Sequence, residues 1–142
     1  MNKPAILAFV LLLFSATIQS QEVIIPDANF KKALMFFGVD QDNDGKIQLS
    51  EALLIDSLYF TEASKITDMT GIDAFIYLKY LSCRGNKLNS LDVSKNTALS
   101  FLDCSCNQIT ALDVSSNTAL TRFDCSVNKL NSIDAAGTPI PT

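Results

Sequence analysis

The chain has 142 residues, a formal net charge of −4, four cysteines and no histidine. That length suits one domain, and the acidic balance argues against nucleic acid as a partner. Without histidine there is no Ser-His or Cys-His catalytic pairing, and most zinc sites are excluded.

Lys3 and the unbroken apolar run Ala5 to Phe14 open the chain, and polar Gln19-Ser20-Gln21 follows. The run is too short to span a bilayer and lacks a stop-transfer flank, which is the pattern of a secretory signal. Residues 1–20 are therefore expected to be removed after Ser20, with Ile18 and Ser20 at the two sites before the cut. No cysteine follows the run, which argues against a lipid anchor. About 122 residues then remain for a secreted or cell-surface domain with no membrane span.

Residues 21–56 read as a helical cap. Asp27 to Phe37 places Phe30, Ala33, Leu34 and Phe37 at the spacing of an amphipathic helix, and Gly38 is its stop signal. Asp40 to Glu51 (DQDNDGKIQLSE) then matches an EF-hand calcium loop. Such a loop needs oxygen ligands at its first, third and fifth positions, glycine at the sixth and an acid at the twelfth. Asp40, Asp42, Asp44, Gly45 and Glu51 fill those slots. Lys46 has only to offer its carbonyl, Gln48 works through a water, and Ile47 turns the loop toward a core. Four carboxylates this close repel one another without a cation, so calcium is the expected cofactor. Ser50 and Glu51 open a short second helix through Leu54. EF-hand loops usually work in pairs, so this single loop needs other support.

From Leu78 the sequence copies itself every 21 residues, starting at Leu78, Leu99 and Leu120, in the pattern LxxLxCxxNxLxxLDxS. A fixed period of that length means a solenoid, here the cysteine variant of the leucine-rich repeat. Leu78, Leu81, Cys83, Leu88, Leu91 and their equivalents point inward, and each coil buries them against its neighbours. Residues 57–77 form a degenerate first coil, because Ser64-Lys65-Ile66-Thr67 echoes Asn86-Lys87-Leu88-Asn89. The expected fold is an α/β-type solenoid, a right-handed leucine-rich-repeat coil with stacked parallel short strands. An N-terminal helical cap carries the EF-hand-like loop. Residues 78–142 are three repeats with a minimal or missing C-terminal cap: either Pro139 and Pro141 blunt the open edge, or the sequence is that of a truncated relative.

Cys83, Cys104 and Cys125 share one repeat position. Aligned side chains on neighbouring coils lie about 4.8 Å apart, whereas a disulfide wants Cβ atoms near about 3.8 Å. They are therefore expected to be reduced, buried packing residues, with Cys106 outside the ladder as the thiol to watch for reactivity. Asn86, Asn107 and Asn128 form an inward ladder that must be hydrogen-bonded. Asp92, Asp113, Asn96 and Asn117 read as turn chemistry.

The copies LDVSKNTALSFLDCSCNQIT resemble secreted, internalin-like leucine-rich-repeat proteins of Bacteroidetes type. The stretches VIIPDANFKKAL, GVDQDNDGKIQLSEA and ITDMTGIDAF resemble their N-terminal cap. The resemblance implies an extracellular binding or adhesion module without catalysis, with a protein or surface-glycan ligand. Members usually run through more repeats before a secretion or anchoring domain, whereas this sequence reaches only Thr142.

Alternate strand residues face away from the core: Tyr80, Ser82 and Arg84; Phe101, Asp103 and Ser105; Arg122, Asp124 and Ser126. Tyr80, Arg84, Phe101, Asp103, Arg122 and Asp124 are the expected partner-binding residues, since aromatics and arginines dominate binding hot spots. Two other classes remain open. One is a calcium-responsive surface protein without a defined ligand. The other is a glycosidase using the paired carboxylates Asp103 and Asp124, which would stand about 5 Å apart on adjacent coils.

Overall fold

The computed structural model describes residues 21–139; the expected export signal and Pro141 lie outside them. Helix α1 spans Ala28–Phe36 and begins where the Asp27 carboxylate accepts the Asn29 and Phe30 N–H groups. Its apolar side buries Phe30 and Leu34, and Phe30 meets Phe60 of the first coil edge-on with ring centroids 5.5 Å apart. Phe37, expected on that buried face, instead lies just past the helix end and stays 43% exposed. Helix α2, Leu49–Ala52, is a single turn.

Four strands of three residues stack as one parallel sheet in the order β1 (Ser57–Tyr59), β2 (Tyr80–Ser82), β3 (Phe101–Asp103) and β5 (Arg122–Asp124). The register sets Tyr80, Phe101 and Arg122 side by side, and likewise Ser82, Asp103 and Asp124. A second parallel pair, β4 (Ala111–Asp113) with β6 (Ser132–Asp134), lines another side of the coils. Alternation along each strand sends Leu58, Leu81 and Leu102 inward, where all are at most 1% exposed. Each such leucine contributes roughly 1.5–3 kcal/mol through burial. The first coil joins the sheet out of step. Ser57 pairs with Tyr80, one residue further than the spacing between Ile66 and Leu88, and a 3₁₀ turn at Glu62–Ser64 takes up the extra residue.

The asparagine ladder closes the backbone between coils. Asn86, Asn107 and Asn128 accept the N–H of Ile66, Leu88 and Ile109 in the preceding coil. Asn107 and Asn128 also donate back to the carbonyls of Cys83 and Cys104 respectively. Asn96 and Asn117, read from sequence as turn residues, form a second buried ladder: both are 0% exposed. Asn96 donates to the carbonyls of Ile72 and Phe75, and Asn117 to those of Val93 and Asn96. A buried amide beside backbone carbonyls is worth more there than in solvent, because those carbonyls would otherwise go unpaired.

All four thiols are free. Burial pushes the Cys83 thiol up to about 12, and Cys104 is raised by burial and by its neighbours Cys83 and Cys125. Cys125, expected to be buried, is only half-buried because no coil stacks on its outer side among the described residues. At the turn after each strand, Gly85, Cys106 and Val127 occupy one repeat position with φ of 70°, 56° and 54°. This left-handed conformation suits glycine and strains a β-branched valine.

Candidate functional site

The acidic loop folds around its aspartates. Asp40 accepts the Asp44 and Gly45 N–H groups, Asp42 accepts the Asp44 N–H at 3.1 Å, and Asp44 accepts the Lys46 N–H at 2.8 Å. The tight turn needs Gly45 at φ 82° and Asn43 at φ 60°. Asp40, Asp42 and Asp44 each present a carboxylate oxygen within 4.8 Å of the others, a group able to hold a metal ion. Glu51 is placed differently. It is buried, and its two oxygens take the N–H groups of Gln41 (2.7 Å) and Gln48 (2.9 Å), clasping the two ends of the loop. The Gln48 amide donates to Asp44 Oδ2 at 2.8 Å. The Lys46 ammonium is 3.6 Å from Glu22, so the nearest cation is directed at Glu22. Three oxygen-bearing carboxylates on a glycine turn fit a hard divalent cation.

The support that a single loop needs comes from the chain's own start. Val23 donates to the Ile47 carbonyl at 2.7 Å, and Leu49 donates to the Gln21 carbonyl at 2.8 Å. Glu22 and Gln48 thereby form an antiparallel bridge, and Ile47 is buried beneath it. Val23, Ile24 and Ile25 are strand formers, but so short a run before Pro26 does not say which segment it pairs with, which is why the sequence left this partner unassigned.

A second candidate is the outward face of the four-stranded sheet. Tyr80 and Phe101 stack with centroids 5.8 Å apart and an interplanar angle of 28°. Tyr80, Arg84, Arg122 and Asp124 are exposed, and Phe101 and Asp103 are half-buried. Arg84 reaches across to the next coil and donates to Ser105 Oγ at 3.1 Å. Ser105 was expected on the open face but is fully buried: its hydroxyl donates to Asp103 at 2.6 Å beneath the Arg84 side chain. Tyr59, missed from sequence, is 49% exposed and lies in the same row as Ser82, Asp103 and Asp124. Its repeat position is hidden by the extra residue in the first coil.

Asp103 and Asp124 are adjacent in register, yet each is tied to the serine two residues on. The Ser126 hydroxyl and N–H, with the Arg84 charge, hold the Asp124 carboxyl below the usual range. A glycosidase needs one carboxyl kept protonated near neutral pH, which Asp124 is not arranged to be.

No family pattern matches the sequence, and no curated protein matches it at a significant level. Solved structures do. The functional domain of InlJ from Listeria monocytogenes, which includes a cysteine ladder, is 34% identical over 86% of this chain with a TM-score of 0.73. The internalin InlF from Listeria monocytogenes is 22% identical over 79% of the chain with a TM-score of 0.64. A Clostridium perfringens ZmpB structure containing CBM51-2 and INT domains is 22% identical over 67% with a TM-score of 0.54, a likeness of fold alone. The chain spans 27% of the InlJ structure and 37% of the InlF structure. With its stacked three-residue strands and its own cysteine column, the chain is in fold a leucine-rich-repeat solenoid similar to the internalins.

Proposed function

We propose that this protein is a secreted or cell-surface interaction module that docks a protein partner on the outward face of its four-stranded sheet. The observation that carries the reading is the stacked pair of exposed Tyr80 and half-buried Phe101, with Arg122 next to Phe101 in register and Arg84 further along the same face on Ser105. Aromatic pairs bring large rigid contact area, and arginines bring forked donors that match carboxylates. Asp103 and Asp124 supply opposite charge beside them and fix the orientation of a partner. Among the described residues no helix is long and apolar enough to cross a membrane.

One calcium ion would order the N-terminal cap, bound through Asp40, Asp42, Asp44 and the Lys46 carbonyl, with Gln48 acting through a water and Glu51 completing the set from its place across the two ends of the loop. The all-oxygen donor set selects a hard cation, and a twelve-residue loop accommodates calcium better than the rigid octahedron of magnesium. An affinity on the order of 0.1–1 mM is typical of extracellular modules. The cation would neutralise the converging aspartates and keep α1 and α2 against the first coil.

The test is capture of proteins from surface fractions by immobilised wild type and by the variants Phe101→Ala and Arg84→Ala, with and without calcium. A specific protein held by wild type and lost with both variants supports the reading. Equal capture by all three would overturn the choice of face.

A further inference from the structure

We infer that the groove between α1 and the first coil is a binding site for an acidic sugar, a pyranose ring that carries a carboxylate. The groove holds about 330 Å³, room for a small ligand. It shares only Tyr59 of β1 with the outward face of the sheet. One wall is α1, and the other is the turn after β1. That turn contains the residue that puts the first coil out of step, since Tyr59 and Ile66 stand one residue further apart than Ser82 and Leu88. The 3₁₀ turn Glu62–Ser64 absorbs it and borders the groove. Asn29 ties the two walls by donating to the Lys65 carbonyl at 3.2 Å. The extra residue thus builds a wall that the 21-residue period does not specify.

Aromatic rings supply the apolar part of the lining. Phe36 and Phe37 meet edge to face with centroids 6.2 Å apart, and Phe37 meets buried Phe60 in the same way at 5.6 Å. Phe37 is therefore braced by the core, whereas Phe36 is 89% exposed. Tyr59 adds a third exposed ring. Asn29, Thr61 and Ser64 complete the lining with polar groups. Among the described residues, Asn29 Oδ1 and the hydroxyls of Tyr59, Thr61 and Ser64 have no hydrogen-bond partner. A sugar ring matches this mixture, because its C–H face packs on aromatic rings while its rim of hydroxyls needs hydrogen-bond partners. An aliphatic side chain or a lipid tail would strip water from those polar groups and return no hydrogen bond.

Charge sets the class of sugar. The chain carries a net charge of −4, yet among the described residues Lys32 is the sole charged residue lining the groove. Lys31 and Lys46 are directed at Glu22, at 4.0 Å and 3.6 Å, whereas Lys32 is paired with no carboxylate among the described residues. Glu62, in the neighbouring turn, packs its Cβ over Gly85 instead. One uncompensated ammonium beside aromatic rings favours a ligand with a carboxylate and rejects a cationic one.

The test is NMR titration of the purified protein with the methyl glycosides of glucuronic acid, N-acetylneuraminic acid and glucose. At least one of the two acidic sugars is expected to bind with a dissociation constant on the order of 1 mM, a scale suited to so small a ligand. Glucose, which differs from glucuronic acid only in lacking the carboxylate, should bind about tenfold more weakly or not at all. Lys32→Gln should reduce acidic-sugar binding to the glucose level, and Phe36→Ala should weaken all binding. Phe101→Ala, on the sheet face, should leave sugar binding unchanged, so that this site and protein capture by the sheet stand or fail separately. Circular dichroism of each variant separates a lost site from a lost fold. No binding of either acid up to about 20 mM, glucose held as tightly as glucuronic acid, or Lys32→Gln without effect would each overturn the inference. So would phosphatidylglycerol vesicles, or a second copy of the chain, held by wild type and released by Phe36→Ala.

Discussion

Asp27 ties the helical cap to the first coil with both carboxylate oxygens, and Asp27→Ala measures how the cap is fastened to the solenoid. One carboxylate oxygen caps α1 through Asn29 N–H at 2.8 Å and Phe30 N–H at 2.9 Å. The other accepts from Thr67 N–H at 2.8 Å, the Thr67 hydroxyl at 2.6 Å and Asp68 N–H at 3.1 Å, in the first coil. Loss of the helix cap costs about 1 kcal/mol. Hydrogen bonds to a charged group add about 1.5–3 kcal/mol when well enclosed, and less at this partly exposed site. The variant is therefore expected to lose roughly 2–4 kcal/mol, a large part of the 5–15 kcal/mol typical of a domain. Urea unfolding followed by circular dichroism reads this directly. Asp113→Ala is the control, because Asp113 makes a similar turn contact to Ser115 N–H at 2.8 Å and bridges no other element. The pH dependence carries the same signature. Burial raises the Asp27 pKa, but the Thr67 hydroxyl and the N–H groups of Phe30, Thr67 and Asp68 outweigh it, so the folded value lies below the unfolded one. That contribution is present above the unfolded value of about 3.9 and is lost as pH falls through the folded value. Asp27→Asn should thus flatten the acid limb of stability below about pH 4. Equal cost for Asp27→Ala and Asp113→Ala would refute this account of the cap.

Chelator should lower the melting temperature of the wild type if calcium orders the loop, and Glu51→Gln should remove most of that response; saturation at a hundredfold excess over Kd is worth about 2.7 kcal/mol. An unchanged melting temperature would dismiss the metal. Val127→Asn should raise stability by up to about 1 kcal/mol, because it relieves a β-branched residue at φ 54° that is 73% exposed and buries little. Gly85→Ala at the equivalent position should destabilise, since its Cβ would meet the Glu62 Cβ at 2.9 Å. Cys83 and Cys104 should label only on unfolding, because thiolate is the nucleophile and burial keeps both protonated. With Cys83 raised to about 12 from an ordinary 9.0, stability is unaffected below about pH 9 and falls as pH climbs toward 12. Native-state labelling of Cys83 as fast as of half-buried Cys106 would contradict this.

The sequence carried the solenoid because a 21-residue period can be read without knowing any contact. The acidic loop was legible for the same reason, since its ligand spacing is local. What escaped depends on neighbours in other coils. Asn96 and Asn117 follow turn residues and look solvated, but the carbonyls that bury them come from the preceding coil. Ser105 looked outward by alternation, yet Arg84 of the coil before covers it. Tyr59 was lost because one inserted residue breaks the match to the repeat. The bridge from Glu22 to Gln48 escaped because the β-branched run Val23-Ile24-Ile25 signals extended chain but not its partner.

The central claim, that the sheet face receives a protein partner, is tested most directly by hydroxyl-radical footprinting of the captured complex. Tyr80, 43% exposed, and Phe101 stacked on it should lose reactivity when the partner binds, while Tyr77, 58% exposed and outside the sheet, keeps its own. Protection of Tyr77 with Tyr80 and Phe101 unchanged would place the partner elsewhere and contradict the account.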